Sequence, residues 1–315
     1  MPAYNAATTI AAAVTSVLRQ TVKDFELIVV DDGSSDDTFE RLSPLQADAR
    51  LTVIQQPNRG PAAARNAGID ASGAPIVSVI DSDDLWLPTY LEVMGTALAR
   101  DPAAGFAYTD AWIFDETHHL VARRTAMSGQ RPPNPPPSDS RAFLLELLDR
   151  NFVYTSASVP RKVLSDVGFY DERFRYGEDF ELWLRIIESE RHAVRVSGDL
   201  AIHRIRSSSL TSDVRSFYEG ICDVYATIAD EHALDPVARA VVLKRLAVWR
   251  REVVRLDERS RSARLIAAAR LVRDAILSHR RWLKHPPHAV AETLDRCGIT
   301  GEETRMPFID PSSAP

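Results

Sequence analysis

Short apolar runs that alternate with helical segments constrain the fold of this chain more than any other feature of its sequence. FELIVV (25–30), LTVIQQ (51–56) and PIVSVI (75–80) are short and rich in β-branched residues, which is typical of buried strands. Stretches of good helix formers, such as AAARNAGIDA (62–71), lie between them. Strands that alternate with helices predict an α/β fold, in which a mostly parallel mixed sheet is flanked by helices.

The pattern of strands and helices changes after residue 104. Strands are predicted at 105–114 and 152–159, and HAVRVSGDLAIHRI (192–205) predicts a hairpin that turns at Ser197-Gly198-Asp199. A proline-rich loop lies at 128–140. From about residue 213 the sequence indicates helix until Pro286, followed by a frayed tail. The predicted units are an α/β domain at 1–212, its two halves at about 1–104 and 105–212, and a helical C-terminal region at 213–315.

The composition predicts a globular cytoplasmic protein. With 315 residues, of which 45% are hydrophobic, the chain is long enough to bury a large core. Its two cysteines, Cys222 and Cys297, are far apart in the sequence, which indicates free thiols in a reducing compartment. We find no secretory signal and no apolar run of membrane-spanning length. Peripheral contact with the inner face of the plasma membrane is an alternative that stays open.

Three acidic clusters follow predicted strands or begin a predicted helix. They are Asp31-Asp32 after the first strand, Asp81, Asp83 and Asp84 after the third, and Glu178-Asp179 at a helix start. Each cluster alone is explained by a turn, a helix cap or a solvated loop. Ligands of open α/β sheets bind at the carboxyl ends of the strands, so the first two clusters are expected at one sheet edge. Their mutual repulsion there calls for a cation, and a hard divalent ion that also binds phosphate would satisfy it.

Longer motifs make this pattern specific. Pro2-Ala3-Tyr4-Asn5, SVLRQTVKDFELIVVDDGSSDDT, NRGPAAARNAGI, IVSVIDSDDLWLP and VGFYDERFRYGEDFELWLRI occur in this order over about residues 1–210. Together they resemble the family 2 glycosyltransferases, the large group of inverting enzymes with the GT-A fold. The resemblance implies a Rossmann-like GT-A domain, and it does not extend beyond about residue 213.

The resemblance implies a nucleotide-sugar donor. Pro2 and Asp32 match the positions that hold the nucleotide base, and Arg65 matches an arginine that lies near the nucleotide. Asp81 matches the first carboxylate of a D-x-D pair, which binds the ribose. The sequence contains neither G-x-x-x-x-G-K-[ST] nor G-x-G-x-x-G, so a metal ion rather than a glycine-rich loop is expected to hold the phosphates.

The resemblance also implies a site for Mg²⁺ or Mn²⁺. Asp83 matches the D-x-D carboxylate that binds the metal ion, and Asp84 is a candidate for sharing it. Many relatives carry R-x-H-x-x-S further along the chain, with the histidine near the metal or the diphosphate, but Arg206 occupies that position here. An arginine does not ligate metals, although it pairs directly with a diphosphate. His203, three residues earlier, is expected to be structural.

Asp179 matches the catalytic base of the family. An attacking hydroxyl has to lose a proton, and a carboxylate within hydrogen-bond reach accepts it. A divalent ion stabilises the charge that develops on the departing diphosphate, so one base and one ion suffice for a single, inverting displacement. Two alternatives stay open for each neighbouring side chain. Glu178 is structural or bonds to the acceptor, and Trp183 packs in the core or contacts the acceptor.

The implied activity is that of a metal-dependent hexosyltransferase in the synthesis of bacterial cell-surface polysaccharide or glycolipid. Its acceptor would be a sugar or a lipid-linked sugar. Family members begin with an apolar strand ahead of the motif at Pro2, whereas this sequence begins at Met1. We expect that the strand lies upstream, since its loss would expose neighbouring strand edges. The alternative is a non-catalytic nucleotide-sugar-binding or scaffold protein.

A basic segment lies in the C-terminal region. Residues 239–284 contain 14 Lys and Arg against 4 Asp and Glu, in a chain whose formal net charge is -6. Apolar residues recur there at helical spacing. One alternative is a helical hairpin packed on the domain with a solvated basic face, and the other is attraction to anionic lipid headgroups. Aromatic residues are not interleaved with the charges, so nucleic acid is not an expected partner.

Overall fold

The α/β class that the sequence predicts is confirmed in a computed structural model, which describes residues 1–116, 120–123, 139–206, 213–258, 282–283 and 286–299. The proline-rich loop predicted at 128–140 lies outside these residues except for its last two positions. The tail that follows residue 299 lies outside them as well.

The first hundred residues follow the predicted alternation of strands and helices. Pro61 suits the first position of its helix, because proline fixes the backbone angle there and needs no hydrogen-bond partner. In chain order the elements are β1 (Pro2–Ala3), α1 (Ile10–Leu18), β2 (Leu27–Asp31), α2 (Thr38–Leu42), a 3₁₀ helix (Ser43–Ala47), β3 (Leu51–Gln55), α3 (Pro61–Ala71), β4 (Ile76–Ser78), β5 (Leu85–Trp86) and α4 (Tyr90–Arg100).

After residue 100 strands and helices no longer alternate strictly, and several of the elements are longer. Asp139 caps the first of the helices, because its side chain accepts a hydrogen bond from the Ala142 amide. The elements are β6 (Ala104–Asp115), β7 (Leu120–Arg123), α5 (Ser140–Asp149), β8 (Ala157–Pro160), α6 (Arg161–Val167), α7 (Glu178–Glu188), β9 (His192–Ile205), α8 (Val214–Glu231), α9 (Pro236–Glu258), β10 (Trp282–Leu283) and α10 (His288–Arg296).

The strands form a parallel sheet and a mixed sheet. The parallel sheet has the order β1-β2-β3, in which Pro2 pairs with Val30 and Leu27 pairs with Leu51. The mixed sheet has the order β10-β7-β6-β8-β4, and β9 joins it by pairing in parallel with β6 and antiparallel with β5. The carboxyl ends of β2 and β4 lead into the first two acidic clusters.

Strand β6 is buried along its whole length and separates two parts of the core. Successive side chains of a strand point to opposite faces. Accordingly, Phe106 packs against Trp183 of α7, with ring centroids 4.8 Å apart, whereas Ala107 belongs to the cluster around Trp86 and Tyr90. The rings of Trp86 and Tyr90 are stacked at 4.0 Å. The helix α7 and the chain that follows Asp84 are therefore anchored on different faces of the same strand.

The predicted hairpin at 192–205 is wrong. These residues form the single strand β9, which runs parallel to β6 through shifts in register near Asp110. Gly198 has a φ of 110°, which glycine adopts without strain, and this absorbs the irregularity. Ser-Gly-Asp is a turn signal and also a bulge signal, and the sequence alone does not separate the two.

The structure corrects the extent of two further predicted elements. The strand predicted at 152–159 is regular only from Ala157, since β8 covers Ala157–Pro160. The helix predicted up to Pro286 is interrupted, because Trp282–Leu283 forms β10 and pairs antiparallel with β7. Helix α10 then packs beside Leu85 and Ile202 of the mixed sheet. The C-terminal residues thus return to the α/β core, and the division of the chain at residue 212 stays a prediction.

A groove of about 770 Å³ lies between β2 and β4. Ile28 of β2, Val77 of β4 and Ile69 of α3 line it. In the described part of the chain, β4 is the end strand of the mixed sheet and β1 is the end strand of the parallel sheet. The amine of Met1 donates to Ile28 O at 2.9 Å, where a strand amide would donate in a parallel ladder. We propose that an extended apolar segment joined ahead of Met1 would lie in this groove as a strand.

A variant extended ahead of Met1 by about five β-branched residues, a usual strand length, tests this proposal. We expect its melting temperature to rise by about 4 °C or more, because a new strand would bury apolar surface and pair the edges of β2 and β4. The matched control is an extension of equal length made of glycine and serine. Equal melting temperatures of the two variants would contradict the proposal.

Candidate active site

The loop between β4 and β5 carries the second acidic cluster, and the structure pairs each of its carboxylates with a basic side chain. The pairs are Asp81 with Arg65 at 2.7 Å, Asp83 with Arg206 at 3.2 Å, and Asp84 with His203 at 3.1 Å. The basic residues come from α3 and from the C-terminal end of β9. The repulsion expected from the sequence is therefore offset by side chains that are distant along the chain.

Asp84 is the most enclosed of the three, with 1% of its surface exposed. Besides its contact with His203, its carboxylate accepts hydrogen bonds from the Tyr154 hydroxyl and from the Arg204 amide. The Arg204 side chain in turn donates to the carbonyl oxygens of Asp83 and Thr9. These contacts fasten the acidic loop to β9, so Asp84 is a structural centre of the loop.

Asp83 is less enclosed than Asp84 and faces the side on which Arg206 lies. Burial, followed by the nearness of Asp84, raises the pKa of Asp83 above its ordinary value. The Arg206 guanidinium favours the ionised form of Asp83. Its Nη1 also donates to the Thr8 hydroxyl at 3.3 Å. Asp83 is therefore a carboxylate whose charge depends on the cation beside it.

Arg65 joins the acidic loop to the third acidic cluster. Its side chain is 5% exposed and contacts both Asp81 and Glu178, and its guanidinium lies 5.4 Å from the centre of the Tyr170 ring. Burial raises the pKa of Glu178 to about 7, while the charge of Arg65 acts in the opposite direction. Because a buried charge is costly without a partner, the three charged groups depend on one another.

Asp179 stands at the start of α7 and is 5% exposed. Its Oδ2 accepts a hydrogen bond from Thr155 Oγ1 at 2.6 Å, and its Oδ1 accepts one from the Phe180 amide at 2.7 Å. Burial raises the pKa of Asp179, whereas the bond from Thr155 and the charge of Arg65 lower it. Its protonation state is thus set by a balance between burial and a few donors.

Gly177 allows the chain to turn into α7 at this point. Its φ of 70° lies in the left-handed region, and a Cβ there would come within 3.3 Å of Ile221 and Val224. Helix α8, which carries those two residues, therefore packs directly behind the helix start. The glycine fixes the direction in which Glu178 and Asp179 leave the turn.

Asp32 belongs to the same constellation through α3. Its carboxylate accepts hydrogen bonds from the amides of Arg59 and Gly60 and from Gln56 Nε2. Gly60 precedes the first residue of α3, the helix that carries Arg65. Pro2 lies nearby in β1, and the amide of Asp32 donates to the carbonyl of Ala3. Asp32 thus holds the loop from which α3 starts.

The structure defines the surroundings of Glu178 and Trp183, for each of which the sequence left two alternatives. Glu178 is in contact with Arg65. Trp183 is fully buried in the core against Phe106, so its ring is a packing element of α7 and does not line an open surface. Among the residues that the structure describes, no three His, Cys, Asp or Glu side chains come together as a metal-binding group.

Sequence reasoning missed the contribution of Tyr154 and Thr155. The sequence predicts FVYTSASV only as a strand, although two neighbouring hydroxyls in it bond to acidic side chains of the site. A run of hydroxyl residues at the start of a buried strand was the available signal. Buried hydroxyls need hydrogen-bond partners, and the nearby acidic clusters supply them.

The sequence matches the model of glycosyl transferase family 2 over residues 1–168. The chain belongs to this family. The mixed sheet, the acidic loop after β4 and the acidic helix start together agree with the GT-A fold that the sequence predicted.

Several curated bacterial proteins are similar in sequence. The succinoglycan biosynthesis protein ExoU of Rhizobium meliloti is 32% identical over 69% of this chain and 66% of its own length. The Escherichia coli protein named UDP-Glc:alpha-D-GlcNAc-diphosphoundecaprenol beta-1,3-glucosyltransferase WfgD is 28% identical over 68% of this chain and 78% of its own length. An uncharacterized glycosyltransferase of Rickettsia felis is 29% identical over 63% of this chain, and the match spans 32% of that protein.

Solved glycosyltransferase structures share the fold. Residues 1–349 of S. aureus TarS in complex with UDP-GlcNAc superpose with a TM-score of 0.60 at 16% identity, covering 94% of this chain and 87% of that one. The mannosyltransferase PcManGT from Pyrobaculum calidifontis, in complex with GDP-Man and Mn²⁺, gives a TM-score of 0.56 at 17% identity, covering 95% and 83%. At these identities the comparison establishes the GT-A fold alone.

Replacement of Arg65 by glutamine tests whether its charge holds the site together. The variant leaves Asp81 and Glu178 without their cation, and we expect a loss of about 3–5 kcal/mol in the free energy of unfolding, measured by urea denaturation. The control is Arg59→Gln, which breaks an exposed ion pair with Glu172 and should cost less than about 1 kcal/mol. Similar losses in the two variants would show that Arg65 is not a buried electrostatic link.

Proposed function

We propose that this chain is an inverting glycosyltransferase, which transfers a sugar from a nucleotide-sugar donor to a hydroxyl group of an acceptor. The observation that carries the proposal is the contact of Arg65 with both Asp81 and Glu178. It joins a carboxylate of the acidic loop to the helix start that presents Asp179. A donor-side carboxylate and a candidate base are thereby held in one site, and membership of the family supports the reaction type.

Asp179 is the proposed catalytic base. As the O–H bond of the acceptor breaks, its proton passes to the Asp179 carboxylate and its oxygen forms a bond to the anomeric carbon. The bond from that carbon to the donor phosphate breaks, and the nucleoside diphosphate leaves with the electron pair. Attack from the face opposite the leaving group inverts the anomeric centre. Because Asp179 has to be ionised, the donors that oppose its burial matter for the reaction.

For the donor, we propose contacts at Pro2, Asp32, Arg65 and Asp81. Three observations support a common site for them. Asp32 and Pro2 lie on adjoining strand ends, and Asp32 bonds to the loop that begins the helix of Arg65. Arg65 then reaches Asp81 directly. A nucleotide bound along this path would place its attached sugar near the acidic loop.

We propose Mg²⁺ or Mn²⁺ as the cofactor, with Asp83 as its main protein ligand. Carboxylate oxygens are the ligands that these ions prefer, so the chemistry of the loop fits a divalent ion. Asp84 remains a candidate second ligand, although Tyr154, His203 and the Arg204 amide already engage its oxygens. When bound, the ion would stabilise negative charge on the leaving diphosphate.

Arg206 is the proposed partner of the donor diphosphate. In the structure it pairs with Asp83 at 3.2 Å, and both side chains are partly accessible. Binding of an ion and a diphosphate would let the guanidinium leave the carboxylate and pair with phosphate oxygens. Arg206 therefore neutralises Asp83 before the donor arrives, and the diphosphate afterwards.

The acceptor we propose is a sugar or a lipid-linked sugar, in the synthesis of a bacterial surface polysaccharide or glycolipid. The names of ExoU and WfgD, which refer to succinoglycan and to a diphosphoundecaprenol-linked sugar, support this class of acceptor. Cys222 and Cys297 are free thiols, which suits a reducing compartment. We therefore propose that the enzyme acts in the cytoplasm, on the inner side of the plasma membrane.

Donor turnover tests the proposed function. A panel of UDP-, GDP- and dTDP-sugars is screened by thermal stabilisation, and consumption of the best donor is measured with Mg²⁺ or Mn²⁺. We expect Asp179→Asn to lower turnover by about 10²-fold or more while donor binding persists, because only the base is lost. Asp83→Asn should weaken donor binding in the presence of the ion. If the wild type binds a donor without consuming it under any condition, the non-catalytic alternative replaces the proposal.

We propose that the exposed face of α9 contacts anionic lipid. Arg239, Leu243, Arg250 and Val254 are exposed at helical spacing along one strip, and Leu243 and Val254 are 48% and 53% exposed. A strip that combines basic and apolar side chains is typical of helices that lie on membranes. Within the described ranges, no helix is long and apolar enough to cross a bilayer.

Co-sedimentation with vesicles tests the lipid contact, with phosphatidylcholine alone or mixed with phosphatidylglycerol. We expect binding only to the anionic vesicles, and a weakening of about tenfold in the double variant Arg239→Gln with Arg250→Gln, since each surface cation adds to the attraction. The matched control is Arg100→Gln with Lys162→Gln, two exposed basic residues elsewhere. An equal effect of both pairs, or no binding at all, would rule out this strip.

A further inference from the structure

Four hydroxyl side chains within residues 154–158 make hydrogen bonds into the proposed site and its supports. The Tyr154 hydroxyl donates to Asp84, Thr155 Oγ1 donates to Asp179 at 2.6 Å, Ser156 Oγ accepts from Trp86 Nε1 at 3.2 Å, and Ser158 Oγ lies 2.6 Å from Ser78 Oγ. The short segment therefore contacts the acidic loop, the strand β5 that follows it and the proposed base. No other segment that the structure describes bonds by its side chains to both Asp84 and Asp179.

The hydrogen bond from Thr155 to Asp179 lies in a buried environment, where hydrogen bonds are stronger than in water. Thr155 and Asp179 are 6% and 5% exposed, so water competes little for either group. Oδ1 of Asp179 is engaged by the Phe180 amide of its own helix, and Oδ2 is engaged by Thr155. A hydrogen bond to an ionised carboxylate fixes the orientation of the group and stabilises its charged form.

Tyr154 makes the corresponding contact on the donor side. It is 4% exposed, and it belongs to the same core cluster as Trp86 and Tyr90. Its hydroxyl meets Asp84, which holds the acidic loop against β9. Adjacent residues of one chain segment thus hold carboxylates from opposite ends of the proposed reaction, the leaving-group side and the base.

We propose that Thr155 is a positioning residue for the base Asp179, and that Tyr154 positions the acidic loop through Asp84. This inference rests on the proposed function, since it takes Asp179 as the base. The hydroxyl of Thr155 keeps Asp179 ionised and aimed at the acceptor, although the carboxylate is buried. The hydroxyl of Tyr154 acts on donor binding and leaves the base unaffected.

Other charged or titratable groups also face Asp179. They are Arg65 from α3, Asp81 from the acidic loop, Glu178 from the same helix, and Tyr170 from the loop before α7. Arg65 is the cation among them, and it is shared with Asp81 and Glu178. Thr155 supplies the direct side-chain hydrogen bond to Asp179, so its removal should not be masked by Arg65.

The test compares Thr155→Val, Thr155→Ser and the control Thr109→Val. Thr109 is also buried, but its hydroxyl donates to the carbonyl of Gly198. We expect Thr155→Val to lower kcat by about tenfold or more and to move the acidic limb of the kcat/KM profile about one pH unit upward, because the ionised base loses its donor. Its affinity for UDP or GDP should stay within about twofold of the wild type. Thr155→Ser should keep the wild-type limb, and so should Thr109→Val.

Tyr154→Phe is the complementary variant. It should weaken UDP or GDP binding measured by calorimetry with Mg²⁺, and it should leave the acidic limb in place. An acidic limb that moves equally in Tyr154→Phe and Thr155→Val would overturn the division of roles. An unchanged limb in Thr155→Val would overturn the inference altogether.

A readout without turnover separates this inference from the proposed function. The carboxyl of Asp179 is titrated by ¹³C NMR in aspartate-labelled protein, with Asp179→Asn to assign its signal. A higher midpoint in Thr155→Val than in the wild type supports the bond as the cause, and equal midpoints overturn it. If the wild type consumes no donor, the proposed function fails by itself, whatever the midpoints show.

Discussion

The buried guanidinium of Arg65 is the interaction on which the rest of the site depends. It touches Asp81 and Glu178, two carboxylates that the chain separates by almost a hundred residues. Burial of such charges is unfavourable unless they are paired, so the acidic loop and the start of α7 can approach each other only with Arg65 between them. The position of Arg65 is set in turn by Asp32, which holds the loop at the start of α3. Strand end, helix start and acidic loop therefore form one electrostatic unit.

The chain itself supplies two of the cations that offset the acidic loop, Arg65 beside Asp81 and Arg206 beside Asp83. Asp81, Asp83 and Asp84 each have a basic partner, which allows the loop to keep its shape before any ligand binds. The pairs differ in enclosure, because Asp84 is inaccessible whereas Asp83 and Arg206 remain partly accessible. In the proposed binding mode, an ion and a diphosphate would exchange partners with the Asp83–Arg206 pair. Binding by exchange costs less reorganisation than assembling a site from repelling carboxylates.

Local patterns in the sequence revealed the elements but not their contacts. The strands that end at Asp31 and Ser78 could be predicted to within two residues, because an apolar run followed by acidic residues is a local signal. The helix start at Glu178 could be predicted for a similar reason. The partner of Arg65 and the bonds of Tyr154 and Thr155 could not, because they join residues 16 to 113 positions apart. The hairpin expected around Gly198 failed because pairing with β6, a tertiary interaction, outweighed a local turn signal.

In the proposed mechanism, the hydrogen bonds of Tyr154 and Thr155 serve both the stability of the site and its chemistry. A carboxylate in the core has to be kept ionised to act as a base, and burial opposes that. Water around the carboxylate would stabilise its ionised form. It would also leave the carboxylate less firmly positioned and would compete with the acceptor hydroxyl for hydrogen bonds to it. A buried hydroxyl such as that of Thr155 restores the charge without admitting water. Because Tyr154 lies beside Thr155, one short segment holds both the acidic loop and the proposed base Asp179. The relative position of the donor side and the acceptor side of the proposed site is then set by a single short stretch of chain.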